Sequence, residues 1–157
     1  MKAKIRIARL LQYLLFFIPV KKNRIMFYAN NRKGYVCNPS VLMESFWLKH
    51  PGEYELIWVT RFPETCTMRT GITVVRQRSL NYFKLFLRCG IFITNDMIDE
   101  ALVKKRGQTF LTTWHGGGAY KKVGKETINE DETFAANFDK WYKRLDYFVS
   151  SCQACTD

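Results

Sequence analysis

At 157 residues, with 47% hydrophobic and 15% aromatic side chains, the chain has room for one domain with a full core, which excludes a disordered or low-complexity segment. Its net charge of +11 looks like that of a nucleic-acid protein until the charge is located. Nine of the 25 Lys and Arg residues precede the first acidic residue, Glu44, and the other sixteen face fourteen acids, so the body is nearly neutral and nucleic-acid binding is disfavoured.

From Ile5 to Ile18 apolar residues at positions 7, 10, 11, 14, 15, 17 and 18 recur at helical spacing, with Lys2, Arg6 and Arg9 on the other side. The run is shorter than the about 20 residues a bilayer-spanning helix needs. It ends in Pro19-Val20-Lys21-Lys22 with no small-residue cleavage site, which argues against a signal peptide. Residues 1–22 therefore predict a basic amphipathic helix on an anionic membrane surface. The plainer alternative is a helix whose apolar face packs on its own domain.

Residues 23–157 read as one α/β domain. Arg24–Ala29 predicts a first strand, followed by a loop over Asn30–Tyr35. Asn38 with Pro39 predicts a helix cap and first turn, with the helix over Ser40–Lys49 ending before His50-Pro51-Gly52. Strands are expected at Tyr54–Val59, Ile72–Val75 and Gly90–Thr94, with a helix at Leu80–Leu87 whose Tyr82, Phe83 and Phe86 belong to the core. Asn95 and Asp96 follow a strand's carboxyl end, where polar side chains either contact substrate or begin a loop. A short helix at Ile98–Lys105, a strand at Gln108–Thr113, a helix at Asp131–Leu145 and a strand at Asp146–Ser150 complete the reading. Unbroken apolar strands alternating with helices predict an α/β fold: a parallel sheet with helices on both faces. A strand so close to Asp157 is expected to run on into further chain.

The most informative stretch is Thr112-Thr113-Trp114-His115-Gly116-Gly117-Gly118, with Tyr120-Lys121-Lys122 behind it. Glycines at 116 to 118 let backbone turn sharply and approach a ligand closely. Imidazole is the side chain most easily set to take a proton near neutral pH, and a strand's carboxyl end is where such sheets bind ligands. Lys121 and Lys122 either hold a phosphate or form a solvated turn; Trp114 either frames the histidine or fills core. Five cysteines (Cys37, Cys66, Cys89, Cys152, Cys155) at irregular spacing point to a reducing compartment. Cys152-Gln153-Ala154-Cys155 lacks a second ligand pair for zinc, since His50 and His115 are not spaced to supply one.

In these residues the chain resembles the amino-terminal half of the CDP-glycerol glycerophosphotransferases, the teichoic acid primases and polymerases. The resemblance rests on Thr113-Trp114-His115-Gly116 followed by Lys121-Lys122-Val123-Gly124. Lesser matches are Gly34-Tyr35 with Asn38-Pro39, Trp58-Val59, Thr94-Asn95 and Phe148-Val149-Ser150-Ser151, so that it covers most of residues 24–152. The family typically reads Trp-His-Gly-Thr-Pro-Leu-Lys; here glycines replace Thr-Pro and the segment is one residue longer.

The resemblance implies the amino-terminal, acceptor-side lobe of a GT-B-like enzyme with two Rossmann-like lobes. Such an enzyme moves glycerol phosphate from CDP-glycerol to a hydroxyl of a lipid-linked polyol-phosphate or glycan acceptor, and releases CMP. It implies His115 as general base, with Trp114, Gly116, Gly117, Lys121, Lys122, Asn38 and Asn95 as substrate contacts. The donor would be bound by the following lobe, the enzyme would lie peripherally on the cytoplasmic face of the cell membrane, and no cofactor or metal is implied. Other readings are another CDP-polyol or nucleotide-sugar donor on the same architecture, or a non-catalytic membrane-associated binding domain.

Overall fold

A computed structural model describes residues 2–29, 34–114 and 132–149. Its first strand, β1 (Lys21–Tyr28), shows why the apolar runs of the sequence are unbroken. Ile25 and Phe27 pack on one side with Leu56, Trp58 and Ile93, while Met26 and Tyr28 pack on the other with Ile57, Val59 and Phe92. A strand covered on both faces has no position for a polar side chain.

Around β1 lie β2 (Glu55–Thr60), β3 (Ile72–Arg76), β4 (Cys89–Thr94), β5 (Thr109–Thr112) and β6 (Tyr147–Phe148). The six strands form one parallel sheet in the order β3-β2-β1-β4-β5-β6. This is the doubly wound order, with its reversal between β1 and β4. Helix α2 (Cys37–Lys49) covers one face through Met43 and Phe46. Helices α3 (Leu80–Leu87) and α4 (Glu132–Tyr142) cover the other through Tyr82, Phe86 and Trp141. The expected α/β class with helices on both faces is what forms.

Gly90 is where β4 meets the start of β1. A Cβ there would lie 2.6 Å from the Lys21 carbonyl oxygen and 2.8 Å from the Lys22 Cα. The register shifts at this point, Lys21 pairing Cys89 and Ile25 pairing Ile91, so β1 bulges against a residue that must lack a side chain.

Two expectations change. Helix α2 begins at Cys37, three residues before Ser40, and its N-cap is Val36, which gives no side-chain cap. Burial of Pro39 and a hydrogen bond from the Ser40 hydroxyl to the Cys37 carbonyl (2.8 Å) draw the first turn in earlier, leaving Asn38 exposed within it. The helix expected over Ile98–Lys105 does not form. Its backbone groups are satisfied by side chains instead: the Ala101 amide donates to Asp99 (3.0 Å), the Val103 amide to Gln12 (3.1 Å) and the Lys105 amide to Gln108 (3.0 Å). Gln12 donates in turn to the Ala101 carbonyl (2.7 Å), and Arg144 to that of Leu102 (2.7 Å). Once these partners exist, a helical turn gains nothing by competing for the same groups.

Helix α1 (Lys2–Leu14) is attached through Gln12. Gln12 is 2% exposed, while Ile7, Leu10, Leu11 and Leu14 on the opposite side are between 54% and 65% exposed. The Lys105 ammonium holds the segment after α1 by donating to the Phe16 and Ile18 carbonyls. Not all of the positive charge before Glu44 is free: Lys21 and Arg24 both pair with Glu55, whose carboxyl is held below its ordinary value by the Lys21 contact, against burial, with Arg24 adding to it. Among the described residues, no helix is long and apolar enough to cross a membrane.

Candidate functional site

In a sheet of this order, ligands bind beyond the carboxyl ends of the strands. There β4 and β5 run out together. The Thr113 amide donates to the Thr94 carbonyl (2.8 Å), extending the pairing one residue past β5. The Thr94 hydroxyl accepts from the Asp96 amide (2.9 Å), and the Asp96 carboxylate from the Met97 amide (2.7 Å). The Tyr28 hydroxyl donates to the Met97 carbonyl, which ties this turn to the end of β1. Asn95 is 1% exposed within it.

Trp114 ends the described part of this edge. Its φ is 53°, in the left-handed region a bulky side chain rarely adopts. The Trp114 amide donates to the Thr112 hydroxyl (3.2 Å), and the indole lies among Phe138, Trp141 and Phe148 at centroid distances of 6.1, 5.9 and 6.0 Å. The strained backbone is therefore held by packing, the condition under which such conformations persist. His115, Gly116, Gly117, Lys121 and Lys122 lie outside the described residues. Asn38 sits on α2, which covers the opposite face of the sheet from the Trp114 cluster. The structure thus brings Asn95 and Trp114 to one edge.

A cavity of about 630 Å³ that the sequence did not reveal opens behind Trp141, between α1, the turn at residues 96–100 and α4. Four cations line it: Arg9, Arg78, Lys140 and Arg144. Arg78, itself at φ 60°, donates to Asp99 through Nη2 (2.7 Å) and Nε (3.0 Å). The Asp99 side chain is 0% exposed. Burial alone would push its carboxyl up, but hydrogen bonds from Arg78, the Ala101 amide and Gln77 outweigh that and hold it below the usual carboxylate range. These residues come from four segments far apart in sequence, so no spacing pattern announces them.

A parallel sheet in this strand order, with helices on both faces, defines a Rossmann-like α/β fold. Residues 10–157 match the family model of CDP-glycerol:poly(glycerophosphate) glycerophosphotransferase, and the chain belongs to that family. It is 27% identical over 139 residues to the teichoic acid poly(glycerol phosphate) polymerase of Bacillus subtilis (strain 168), a match spanning 85% of this chain and 18% of that protein. It is 29% identical over 136 residues to the teichoic acid glycerol-phosphate transferase of Staphylococcus aureus (strain NCTC 8325 / PS 47), spanning 82% and 34%. Among solved structures, the histidine-to-asparagine variant of the wall teichoic acid polymerase TagF superposes with a TM-score of 0.78 at 22% identity, over 90% of this chain and 35% of that one. The same variant soaked with CDPG gives a TM-score of 0.76 at 23% identity, over 90% and 36%. The chain therefore spans well under half of the relatives it matches.

Proposed function

We propose that this chain is the acceptor-side part of a transferase that moves glycerol phosphate from CDP-glycerol to a hydroxyl acceptor in teichoic acid synthesis. The observation that carries this is the family match over residues 10–157, which takes in Thr113-Trp114-His115 at the carboxyl end of β5. A polyol hydroxyl is a weak nucleophile and needs its proton removed as it attacks phosphorus. In this reading the His115 imidazole takes that proton, the new P–O bond forms at the acceptor oxygen, and CMP leaves with the old one. Trp114 frames His115. Gly116 and Gly117 admit the acceptor to the backbone, Lys121 and Lys122 hold phosphate, and Asn38 and Asn95 make or support further substrate contacts. CDP-glycerol would be bound by chain beyond this lobe.

We further propose that the acceptor is lipid-linked and reached from a membrane surface. The support is the outward apolar side of α1, with Leu10, Leu11 and Leu14 exposed beside exposed Lys4, Arg6 and Arg9. The cytoplasmic face of the cell membrane supplies both that surface and the nucleotide donor.

The test is CMP release from CDP-glycerol with membrane acceptor, in this chain joined to the donor-binding part of a relative, beside its His115→Ala variant. Loss of about 100-fold or more is expected for removal of a general base. Turnover that survives the substitution would make His115 structural. No turnover in either protein would favour the binding-domain reading.

A further inference from the structure

We propose that the cavity between α1, the 96–100 turn and α4 binds a phosphodiester of glycerol through Arg9, Lys140 and Arg144. This rests on the glycerophosphotransferase reading and adds to it a recognition site apart from His115. Of the four cations in the wall, Arg78 is committed to Asp99. Among the described residues the other three form no ion pair. Two carboxylates besides Asp99 line the cavity: Asp96, which accepts from the Met97 amide, and Glu100, which is exposed.

Arg144 is the centre of the case. Its guanidinium is half-buried and donates to two carbonyls, of Leu102 at 2.7 Å and Asp99 at 3.4 Å. Those bonds use two of the five N–H donors an arginine carries, and supply no counter-charge. Burial pulls its ionisation down from the ordinary arginine value, and the Arg9 charge pulls in the same direction. Arginine stays charged regardless; the Asp99 carboxylate offsets part of that cost from nearby, but it is paired with Arg78, and no carboxylate among the described residues pairs directly with Arg144. Lys140 stands one turn earlier on α4, and Arg9 reaches in from α1. Trp141, in the same wall and 4% exposed, has an indole N–H without a hydrogen-bond partner among the described residues.

Planar arginine forks suit phosphate oxygens, and the volume falls within the about 300–1,000 Å³ usual for small-molecule sites. The cavity flanks the helix whose other side is apolar and exposed. A glycerol phosphodiester reaches that position from two sources: the acceptor chain, or the headgroup of phosphatidylglycerol.

The test is calorimetric titration of this chain with glycerophosphoglycerol, which carries the shared chemistry without acyl chains. Arg9→Gln and Lys140→Gln, both at exposed and unpaired positions, are each expected to weaken binding about tenfold, the worth of a charged hydrogen bond. Arg6→Gln removes the same charge from α1 outside the cavity and is expected to change it less than about twofold. Sedimentation with phosphatidylglycerol or equally charged phosphatidylserine vesicles separates the sources. A headgroup site lowers binding of the cavity variants to the former more than to the latter; an acceptor site lowers both alike, by no more than Arg6→Gln does. If wild type does not bind glycerophosphoglycerol, if the double variant binds it as wild type does, or if Arg6→Gln weakens it equally, the inference is overturned. A chain that turns over CDP-glycerol yet fails this titration overturns the cavity alone; binding without turnover overturns the transfer reading alone.

Discussion

Val103 donates its backbone amide to the side-chain oxygen of Gln12, 91 residues away and on the first helix of the chain, at 3.1 Å. The Gln12 side-chain nitrogen donates back to the Ala101 carbonyl at 2.7 Å, so a buried glutamine supplies both halves of what a neighbouring strand would have given. This pairing turns α1 over. Gln12 meets the domain, and the leucines are left outside.

Gln12→Leu is expected to lower stability by about 3 kcal/mol, because it leaves a buried amide and a buried carbonyl unsatisfied at about 1–3 kcal/mol each. Urea unfolding measures it. A loss below about 0.5 kcal/mol would mean that the helix is not held by this contact.

Leu10→Ser with Leu14→Ser removes apolar surface that already faces solvent, at 61% and 65% exposure. Stability should stay within about 1 kcal/mol of the parent chain, two exposed substitutions at about 0.5 kcal/mol each. Binding to phosphatidylglycerol vesicles should fall at least about tenfold, since one buried leucine contributes about 1.5–3 kcal/mol. Vesicle binding that persists would remove α1 from the membrane reading.

The Asp99–Arg78 pair sets an acid limit. With the Asp99 carboxyl held low in the folded state, its contribution is fully present above the unfolded carboxylate value. It is lost as pH falls below about 4, toward the folded value. Urea midpoints from pH 6 to pH 3 should therefore drop more steeply for the parent chain than for Asp99→Asn. At pH 6 the variant should be less stable by about 1–3 kcal/mol, because it weakens the hydrogen bonds that Arg78 and the Ala101 amide make to a fully buried carboxylate. Parallel pH profiles would show that Asp99 is not the group responsible.

Gly90→Ala puts a methyl against the Lys21 and Lys22 backbone, and a cost of about 1–3 kcal/mol is expected for overpacking that can yield only by moving a strand. Cys89 next to it reports the change. Burial raises its thiol to about 12, so at neutral pH it is protonated and reacts only when the sheet opens. With the other cysteines replaced by serine, thiol labelling should be faster in Gly90→Ala than in its parent. Equal rates would mean that β1 adapts at no cost.

What the sequence alone determined is what depends on local pattern. Apolar runs such as Ile25–Ala29 and Gly90–Thr94 are legible because a strand buried on both faces tolerates no polar interruption. The helix at Leu80–Leu87 is legible from its apolar and aromatic residues, and in the structure Ser79 caps it by accepting from the Tyr82 amide (3.1 Å). Family membership was legible too, since Trp114-His115-Gly116 is contiguous. Only the tertiary structure decided the rest, and the reason is the same in each case: the deciding partner lies far away in sequence. Gln12 and Arg144 take backbone groups that would have made residues 98–105 a helix. The same Gln12 contact faces the apolar side of α1 outward, which periodicity cannot do because it defines a stripe and not its direction. Arg9, Arg78, Lys140 and Arg144 are ordinary surface cations in sequence; they surround one cavity because α1, the turn after β3 and α4 converge on the 96–100 turn.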